Sequence, residues 1–254
     1  MNRMHATKDF WLAAMRADGP ALRAAAGQAA LDAPVPSCPE WTVEQLVRHV
    51  GALYAWVGGH VARGVTTPPE PRRYGIEDAP AGAAAFDFLD EQYAAVLRLL
   101  DGLDPELPAW NPMPQAKKAA FWHRRLAMET AVHRWDAQMA LGLPDPVEAK
   151  LAADGVGEVL DSLLPAGRRM GPVDRHGVAQ LVATDAGQEW FVRVRGEGIA
   201  LLDTGTIFDS DDHHARVAAT GTASDLLLSL YGRVQFEVLD VTGDGTLLAA
   251  LRTG

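Results

Sequence analysis

Three residues that lie far apart in the sequence carry the donor types of a metal site. His49 lies in the first half of the chain, and Glu129 and His133 follow about eighty residues later. Two imidazoles and one carboxylate form the three-ligand pattern of catalytic zinc sites, in which the fourth position is open to water or substrate. The three residues therefore favour an enzyme with a divalent metal over a structural protein.

Glu129 and His133 belong to a segment, residues 121–142, whose alanine, leucine, methionine, glutamate and arginine content favours a helix. Residues four apart on a helix project from the same face. Unlike the His-Glu-x-x-His pattern of zinc proteases, this pattern makes the glutamate a ligand and takes the third ligand from a distant helix. The alternative is an ordinary surface pair, because Arg125 stands four residues before Glu129.

The helix that carries His49 has a clear start signal. Thr42 and Gln45 have the spacing of a capping box, which predicts a helix that begins near Val43. Apolar residues follow at helical spacing, with His49 on the edge of the apolar stripe. A histidine at this edge can point along the seam between helices; its alternative role is that of a hydrogen-bonded histidine at the core boundary.

Four amphipathic helices are predicted in the first 145 residues, and they cover residues 8–28, 43–60, 83–100 and 117–141. An all-α four-helix bundle over residues 1–145 is the simplest arrangement. The connection between the second and third helices, residues 64–82, is rich in proline and glycine and cannot continue a helix. We expect this connection to cover or border a site at the end of the bundle.

The period of the pattern changes after a joint at residues 142–150, which separates residues 1–145 from a second domain over residues 146–254. Short β-branched or alternating runs predict strands at residues 178–183, 189–195, 199–203, 216–219 and 234–241. Helices are predicted at residues 223–230 and 246–251. The second half is therefore a smaller α+β domain.

Composition excludes several classes of protein. The chain has 254 residues, 48% of them hydrophobic, which is enough for two cores. Its formal net charge of −10 argues against nucleic acid as a partner. No segment resembles a membrane span or a secretory signal, so we expect no membrane partner and a cytoplasmic location. Cys38 is the only cysteine; it is either a reactive thiol before a helix start or a small, inert one.

Several further residues have two possible roles each. Asp136, three residues after His133, either accepts a hydrogen bond from a ligand histidine or forms a surface pair with an arginine. The basic residues near the predicted ligands either attract an anionic substrate or are solvated: Arg124, Arg125 and Arg134. The aromatic residues there either line a pocket or are packed in the core: Trp41, Trp56, Trp122 and Trp135.

Two groups in the second domain also have alternatives. An arginine there could meet a substrate carboxylate by a bidentate contact, with Arg193, Arg195 and Arg233 as candidates. The adjacent His213 and His214 follow acidic residues and form either a second metal site or an exposed turn; the acidic residues are Asp209, Asp211 and Asp212.

Four runs in the sequence resemble the mycothiol-dependent maleylpyruvate isomerase family, namely CPEWTVEQLVRHVG, METAVHRWDAQMALG, GTASDLLLSLYGR and VTGDGTLLAAL. The resemblance implies a DinB-like metal-binding four-helix bundle and a sterol-carrier-like C-terminal domain. It also implies a divalent metal, typically zinc, at positions that correspond to His49, Glu129 and His133, and mycothiol as thiol cosubstrate.

The implied chemistry is the activation of a low-molecular-weight thiol as a metal-bound thiolate that attacks a small electrophile. An isomerase adds the thiolate to an activated double bond, allows rotation and expels it, whereas an S-transferase leaves the sulfur on the product. The electrophile is anionic if the arginines bind it. The alternative to an enzyme is a ligand-binding or regulatory module with a structural metal, in which the sterol-carrier-like domain binds an apolar molecule.

Overall fold

The computed structural model of the chain describes residues 6–202 and 215–253. The chain divides into two compact units at the junction between Asp145 and Pro146. The first unit is helical, and the second combines helices with a five-stranded sheet. The predicted order of a helical domain followed by an α+β domain is confirmed. In the part of the chain that the structure describes, no helix is long and apolar enough to span a membrane.

Four long helices form the first unit: α1 (Lys8–Gln28), α2 (Val43–Gly58), α3 (Ala84–Gly102) and α4 (Ala120–Met139). All four are predicted from the sequence, and their ends differ from the prediction by at most three residues. The capping box at the start of α2 is present: the Gln45 amide donates to Thr42 Oγ1 (3.3 Å), and the Thr42 amide donates to Gln45 Oε1 (2.8 Å). These bonds fix the start of α2 and therefore the position of His49 along it.

Helix α4 is buried along most of its length and packs against α1 and α2. A helix buried on all sides is usually apolar, yet α4 buries five polar or charged side chains, those of His123, Thr130, His133, Arg134 and Asp136. Burial of a polar group is costly unless the group is hydrogen-bonded. Each of the five has a hydrogen-bond partner, so α4 carries a polar network through the core of the unit.

The second unit begins with a helix that continues into one π-helical turn, and its strands form a single sheet. The elements are α5 (Ala149–Glu158), the π turn (Val159–Leu163), β1 (His176–Ala183), β2 (Gln188–Arg195), β3 (Gly198–Leu202), β4 (Arg216–Gly221), α6 (Ala223–Leu230), β5 (Asp240–Gly243) and α7 (Thr246–Ala249). The strand order is β3-β2-β1-β4-β5, in which β1 and β4 are parallel and the other pairs are antiparallel.

The prediction of a strand over residues 234–241 is wrong for most of that segment. Phe236–Val238 forms a 3₁₀ turn, and strand β5 covers only Asp240–Gly243. Strand β5 pairs with β4, and this pairing reaches no further back than the match of Thr220 with Asp240. Among the described residues 6–202 and 215–253, no strand pairs with the residues just before Asp240, and their alternating pattern does not produce a strand.

Helix α5 was not predicted. Its sequence, AKLAADGVGE, contains Gly155 and Gly157, and each glycine weakens a helix by about 1 kcal/mol relative to alanine. The helix forms because Leu151 and Val156, among others, are buried. It begins at Ala149, so the predicted joint at residues 142–150 includes its first two residues.

Candidate metal centre

The three predicted ligands meet between α2 and α4. One possible ligand atom from each of His49, Glu129 and His133 lies within 4.8 Å of the other two. Glu129 Oε2 is 3.0 Å from His133 Nε2, one turn along α4. The two imidazole rings are 5.0 Å apart between centroids and nearly perpendicular, at 76°. The structure therefore brings the three side chains together, and their role as metal ligands stays a prediction.

Glu129 forms an ion pair with Arg125, which donates to Glu129 Oε1. This is the pair that the sequence offered as the alternative to a ligand, but it does not lie at the surface, because only 15% of the Glu129 side chain is exposed. Burial disfavours the charged carboxylate, but Arg125 and the hydrogen bond from His133 outweigh burial and hold the pKa of Glu129 well below its ordinary value. At neutral pH the carboxylate is ionised, which is the form that binds a cation.

Asp136 holds the other side of the His133 ring. His133 Nδ1 lies 2.9 Å from Asp136 Oδ2, and because an ionised carboxylate only accepts hydrogen bonds, Nδ1 carries the proton. Burial lowers the pKa of His133, but its hydrogen bonds to Asp136 and Glu129 outweigh burial and raise that pKa. By the same argument, Nε2 donates to Glu129 Oε2 in the metal-free protein, and a metal bound by this nitrogen would replace the Nε2 proton.

Asp136 is fully buried and receives two further contacts from a loop before α2. Ser37 Oγ donates to Asp136 Oδ1 (2.6 Å), and Cys38 Sγ lies 3.6 Å from Asp136 Oδ2. Of the two roles considered for Asp136, the hydrogen bond to a histidine of the cluster is the one observed. Cys38 faces a carboxylate, whereas cationic neighbours are what activate a cysteine, so its surroundings do not support a catalytic role.

Aromatic side chains border the cluster. The Trp41 ring lies 4.6 Å from the His49 ring and 6.0 Å from the His133 ring, and the Tyr74 ring lies 5.4 Å from that of His49. Tyr74 belongs to the proline- and glycine-rich connection of residues 64–82, which was expected to border a site. The other predicted tryptophans lie elsewhere: Trp56 and Trp122 contact His60, and Trp135 is buried in α4.

The arginines of α4 do not form one substrate-binding group. Arg134 is buried and donates to Asp18 Oδ1 (3.0 Å) and Gln138 Oε1 (2.7 Å), so it ties α4 to α1. Arg125 is engaged with Glu129, and Arg124 is half-buried on the same helix. The expectation that Arg134 binds an anionic substrate is therefore wrong, because its charge is used inside the core.

The three candidate arginines of the second unit lie in different surroundings. Arg193 is half-buried on β2, Arg195 is exposed at the end of that strand, and Arg233 donates to the Tyr231 carbonyl (3.2 Å). The histidine and aspartate cluster around His213 and His214 lies outside the described residues.

The donor set fits a divalent metal such as zinc. Two imidazoles and an ionised carboxylate are zinc ligands, and bonds of 2.0–2.1 Å place the ligands of a tetrahedral site about 3.4 Å apart. In the cluster the possible ligand atoms lie within 4.8 Å of one another, so side-chain rotations would have to bring them closer around a metal. Within residues 6–202 and 215–253, no other group of three histidine, cysteine or acidic side chains meets in this way.

Fold and site together define a two-domain protein in which a helical domain carries a His₂Glu cluster and an α+β domain follows. Residues 12–138 match the family model of the Mycothiol maleylpyruvate isomerase N-terminal domain, and residues 150–250 match that of the MDMPI C-terminal domain. The chain belongs to the mycothiol-dependent maleylpyruvate isomerase family. The resemblance drawn from four sequence runs is thereby confirmed.

Solved structures with the same fold include two crystal structures of the mycothiol-dependent maleylpyruvate isomerase, one of them a histidine-to-alanine mutant. Each matches with a TM-score of 0.60 and covers 94% of this chain and 93% of that one. The sequence identity is 13%, so the likeness is one of fold alone. No curated protein matches the sequence.

Proposed function

We propose that this chain is a mycothiol-dependent enzyme with a divalent metal, zinc, held by His49, Glu129 and His133. The observation that carries the proposal is the meeting of these side chains within 4.8 Å in a member of this family. The four long helices of the first unit also favour a DinB-like four-helix bundle, and the family favours a sterol-carrier-like second domain. A cytoplasmic location stays a prediction.

The residues around the cluster prepare it for a cation. Asp136 keeps a proton on His133 Nδ1, so that Nε2 is the nitrogen that can exchange its proton for a metal. Arg125 keeps Glu129 ionised, and the Trp41 ring contacts both imidazoles and restricts their orientation. When bound, the ion favours the deprotonated form of a thiol and makes it a stronger nucleophile.

Isomerisation is the first candidate reaction, because the family and the solved structures carry that name. S-transfer to a small electrophile would need the same thiol and the same cluster. The two reactions differ in the fate of the sulfur, which an isomerase releases and an S-transferase leaves on the product.

The test is a turnover assay of the zinc-loaded protein with mycothiol, using maleylpyruvate in one series and an activated chloroarene in another. We expect turnover in at least one series, lost without mycothiol, lost after chelation of zinc and lost in His133→Ala. Arg134→Lys, which keeps a buried positive charge that pairs with Asp18 and not with the cluster, is the control and should retain turnover. Binding of apolar molecules without any turnover would favour the ligand-binding module instead.

A further inference from the structure

The loop before α2, residues 33–42, is closed on itself by backbone hydrogen bonds. The Cys38 amide donates to the Val35 carbonyl (2.9 Å), the Trp41 amide to the Cys38 carbonyl (2.8 Å), and the Val35 amide to the Trp41 carbonyl (2.9 Å). The loop leads directly into the capping box of α2. It therefore holds its side chains in a fixed position relative to the helix that carries His49.

Two side chains of this loop meet the same buried carboxylate. Ser37 Oγ donates to Asp136 Oδ1 at 2.6 Å, and Cys38 Sγ lies 3.6 Å from Asp136 Oδ2. Asp136 is 0% exposed, so its charge depends on donors from the protein. A hydroxyl-to-carboxylate bond at 2.6 Å is a strong, charge-assisted one, whereas a thiol is a weak donor. Ser37 is therefore the stronger of the two donors that this loop offers to Asp136.

We propose that Ser37 is a positioning residue of the metal centre, which acts through Asp136 on His133. Ser37 fixes the rotation of the Asp136 carboxylate, and this rotation directs Oδ2 at His133 Nδ1. Without the Ser37 hydroxyl, the carboxylate loses a strong donor and is held less firmly against the ring. The ring can then rotate, and Nε2, the nitrogen that a metal needs, is no longer held toward Glu129 and His49. This proposal rests on the proposed function.

The chain offers a matched pair of variants for the test. Ser37→Ala and Cys38→Ala each remove one heavy atom from adjacent positions of the same loop, and both atoms contact Asp136. We measure the zinc dissociation constant by competition with a chromophoric chelator. Ser37→Ala should weaken zinc binding about 10-fold, the lower end of the 10- to 100-fold range that is typical when a direct partner of a metal ligand is removed, because Ser37 acts through Asp136. Cys38→Ala should stay within about 2-fold.

A second measurement in the metal-free protein separates positioning from a general structural role. NMR should show the His133 Nδ1–H proton shifted downfield by its bond to Asp136 in the wild type and in Cys38→Ala. In Ser37→Ala this signal should move or exchange faster with water, and Ser37→Thr, which restores a hydroxyl, should recover both the signal and zinc affinity.

The outcomes separate the two levels of the hypothesis. If Ser37→Ala loses thermal stability but keeps the zinc affinity and the Nδ1–H signal of the wild type, the positioning role is overturned. Equal weakening by Ser37→Ala and Cys38→Ala would overturn the assignment to Ser37. If the wild type binds no zinc, the proposed function fails, while the Nδ1–H signal still decides whether Ser37 orders Asp136 and His133.

Discussion

Two histidines on helix α4, ten residues apart, are equally inaccessible and have different surroundings. The ring nitrogens of His123 meet backbone carbonyls, with Nδ1 2.9 Å from that of Ala119 and Nε2 3.0 Å from that of Leu100. His133 lies between the carboxylates of Asp136 and Glu129 and beside the ring of His49.

Burial therefore does not distinguish a structural histidine from a ligand, whereas the partners of the ring do. The contacts of His123 join α4 to α3, and among the described residues His123 belongs to no cluster of possible metal ligands. The contacts of His133 place Nδ1 against the Asp136 carboxylate and Nε2 beside Glu129, in a cluster that also includes His49. A metal site needs this second arrangement, because its ligands must converge and an outer partner must fix the tautomer.

The largest expected effect on zinc binding comes from the substitution of His133, and the substitution of His123 is its control. His133→Ala should reduce bound zinc from about one ion per chain to near zero, as measured by elemental analysis after identical purification. His123→Ala should keep the zinc and lose about 1–3 kcal/mol of stability in chemical unfolding, because a buried ring that packs between α3 and α4 and its hydrogen bond to a backbone carbonyl are removed. Loss of zinc in both variants, or in neither, would remove the distinction between the two histidines.

The second effect concerns the carboxylate of the cluster. Glu129→Gln preserves the shape of the side chain and removes its charge, so zinc binding should weaken by more than about 100-fold, beyond the effect of an outer partner. The matched control is Glu44→Gln on α2, whose carboxylate accepts from the Gly82 amide (2.8 Å) and should not affect zinc affinity. Competition titration compares the two. Similar zinc affinities for Glu129→Gln and the wild type would show that Glu129 is only the partner of Arg125.

A third buried histidine extends the comparison to pH. Burial lowers the pKa of His60, Arg63 adds to this effect, and the hydrogen bond to the Trp56 carbonyl opposes it. Because the pKa in the folded state lies below the unfolded value of about 6.5, the unfolded chain binds more protons below that pH. We expect the His60 contribution to stability to be retained above pH 6.5 and lost as the pH falls from there through the lower pKa of the folded state.

This pH effect is measured by urea unfolding at pH 7.5 and pH 5.0 in the wild type and in His60→Gln. The loss of stability on acidification should be smaller in His60→Gln, which cannot titrate at this position. An equal loss in both proteins would show that His60 does not contribute to the pH dependence.

The smallest effect is expected at a buried hydrogen bond between α2 and α4, beside the ligand Glu129. Thr130 donates to the Leu126 carbonyl, so it accepts from Tyr54, whose hydroxyl is 2.6 Å away. Burial raises the pKa of Tyr54 above its ordinary range and keeps this donor protonated. Tyr54→Phe should cost about 1 kcal/mol in chemical unfolding and leave zinc affinity unchanged. A tenfold loss of zinc affinity would mean that the cluster depends on this hydrogen bond as well.

The parts of the molecule that follow from local sequence could be predicted. The capping box of Thr42 and Gln45 and the apolar spacing of the four helices are local signals, so α1 to α4 were placed correctly. The ligand types and the four family-like runs led to the cluster of His49, Glu129 and His133. Asp136 was ambiguous, because its spacing from His133 suits both a hydrogen bond and a surface position.

Other features depend on contacts between distant residues. Ser37 and Asp136 are 99 residues apart, and no local pattern signals that the loop before α2 meets α4. The length of β5 depends on its pairing with β4. Helix α5 was not predicted because its two glycines weaken the helical pattern of its sequence. The buried role of Arg134 likewise required Asp18 on α1, which the sequence of α4 does not reveal.

The most direct test of the proposed zinc site is a crystal structure of the zinc-loaded protein with anomalous data at the zinc edge. The account predicts one strong anomalous peak per chain, bound by His49, Glu129 and His133 at about 2.0–2.2 Å, with His123 still on its two carbonyls. A peak at other residues, or none at this cluster in crystals grown with excess zinc, would contradict the account.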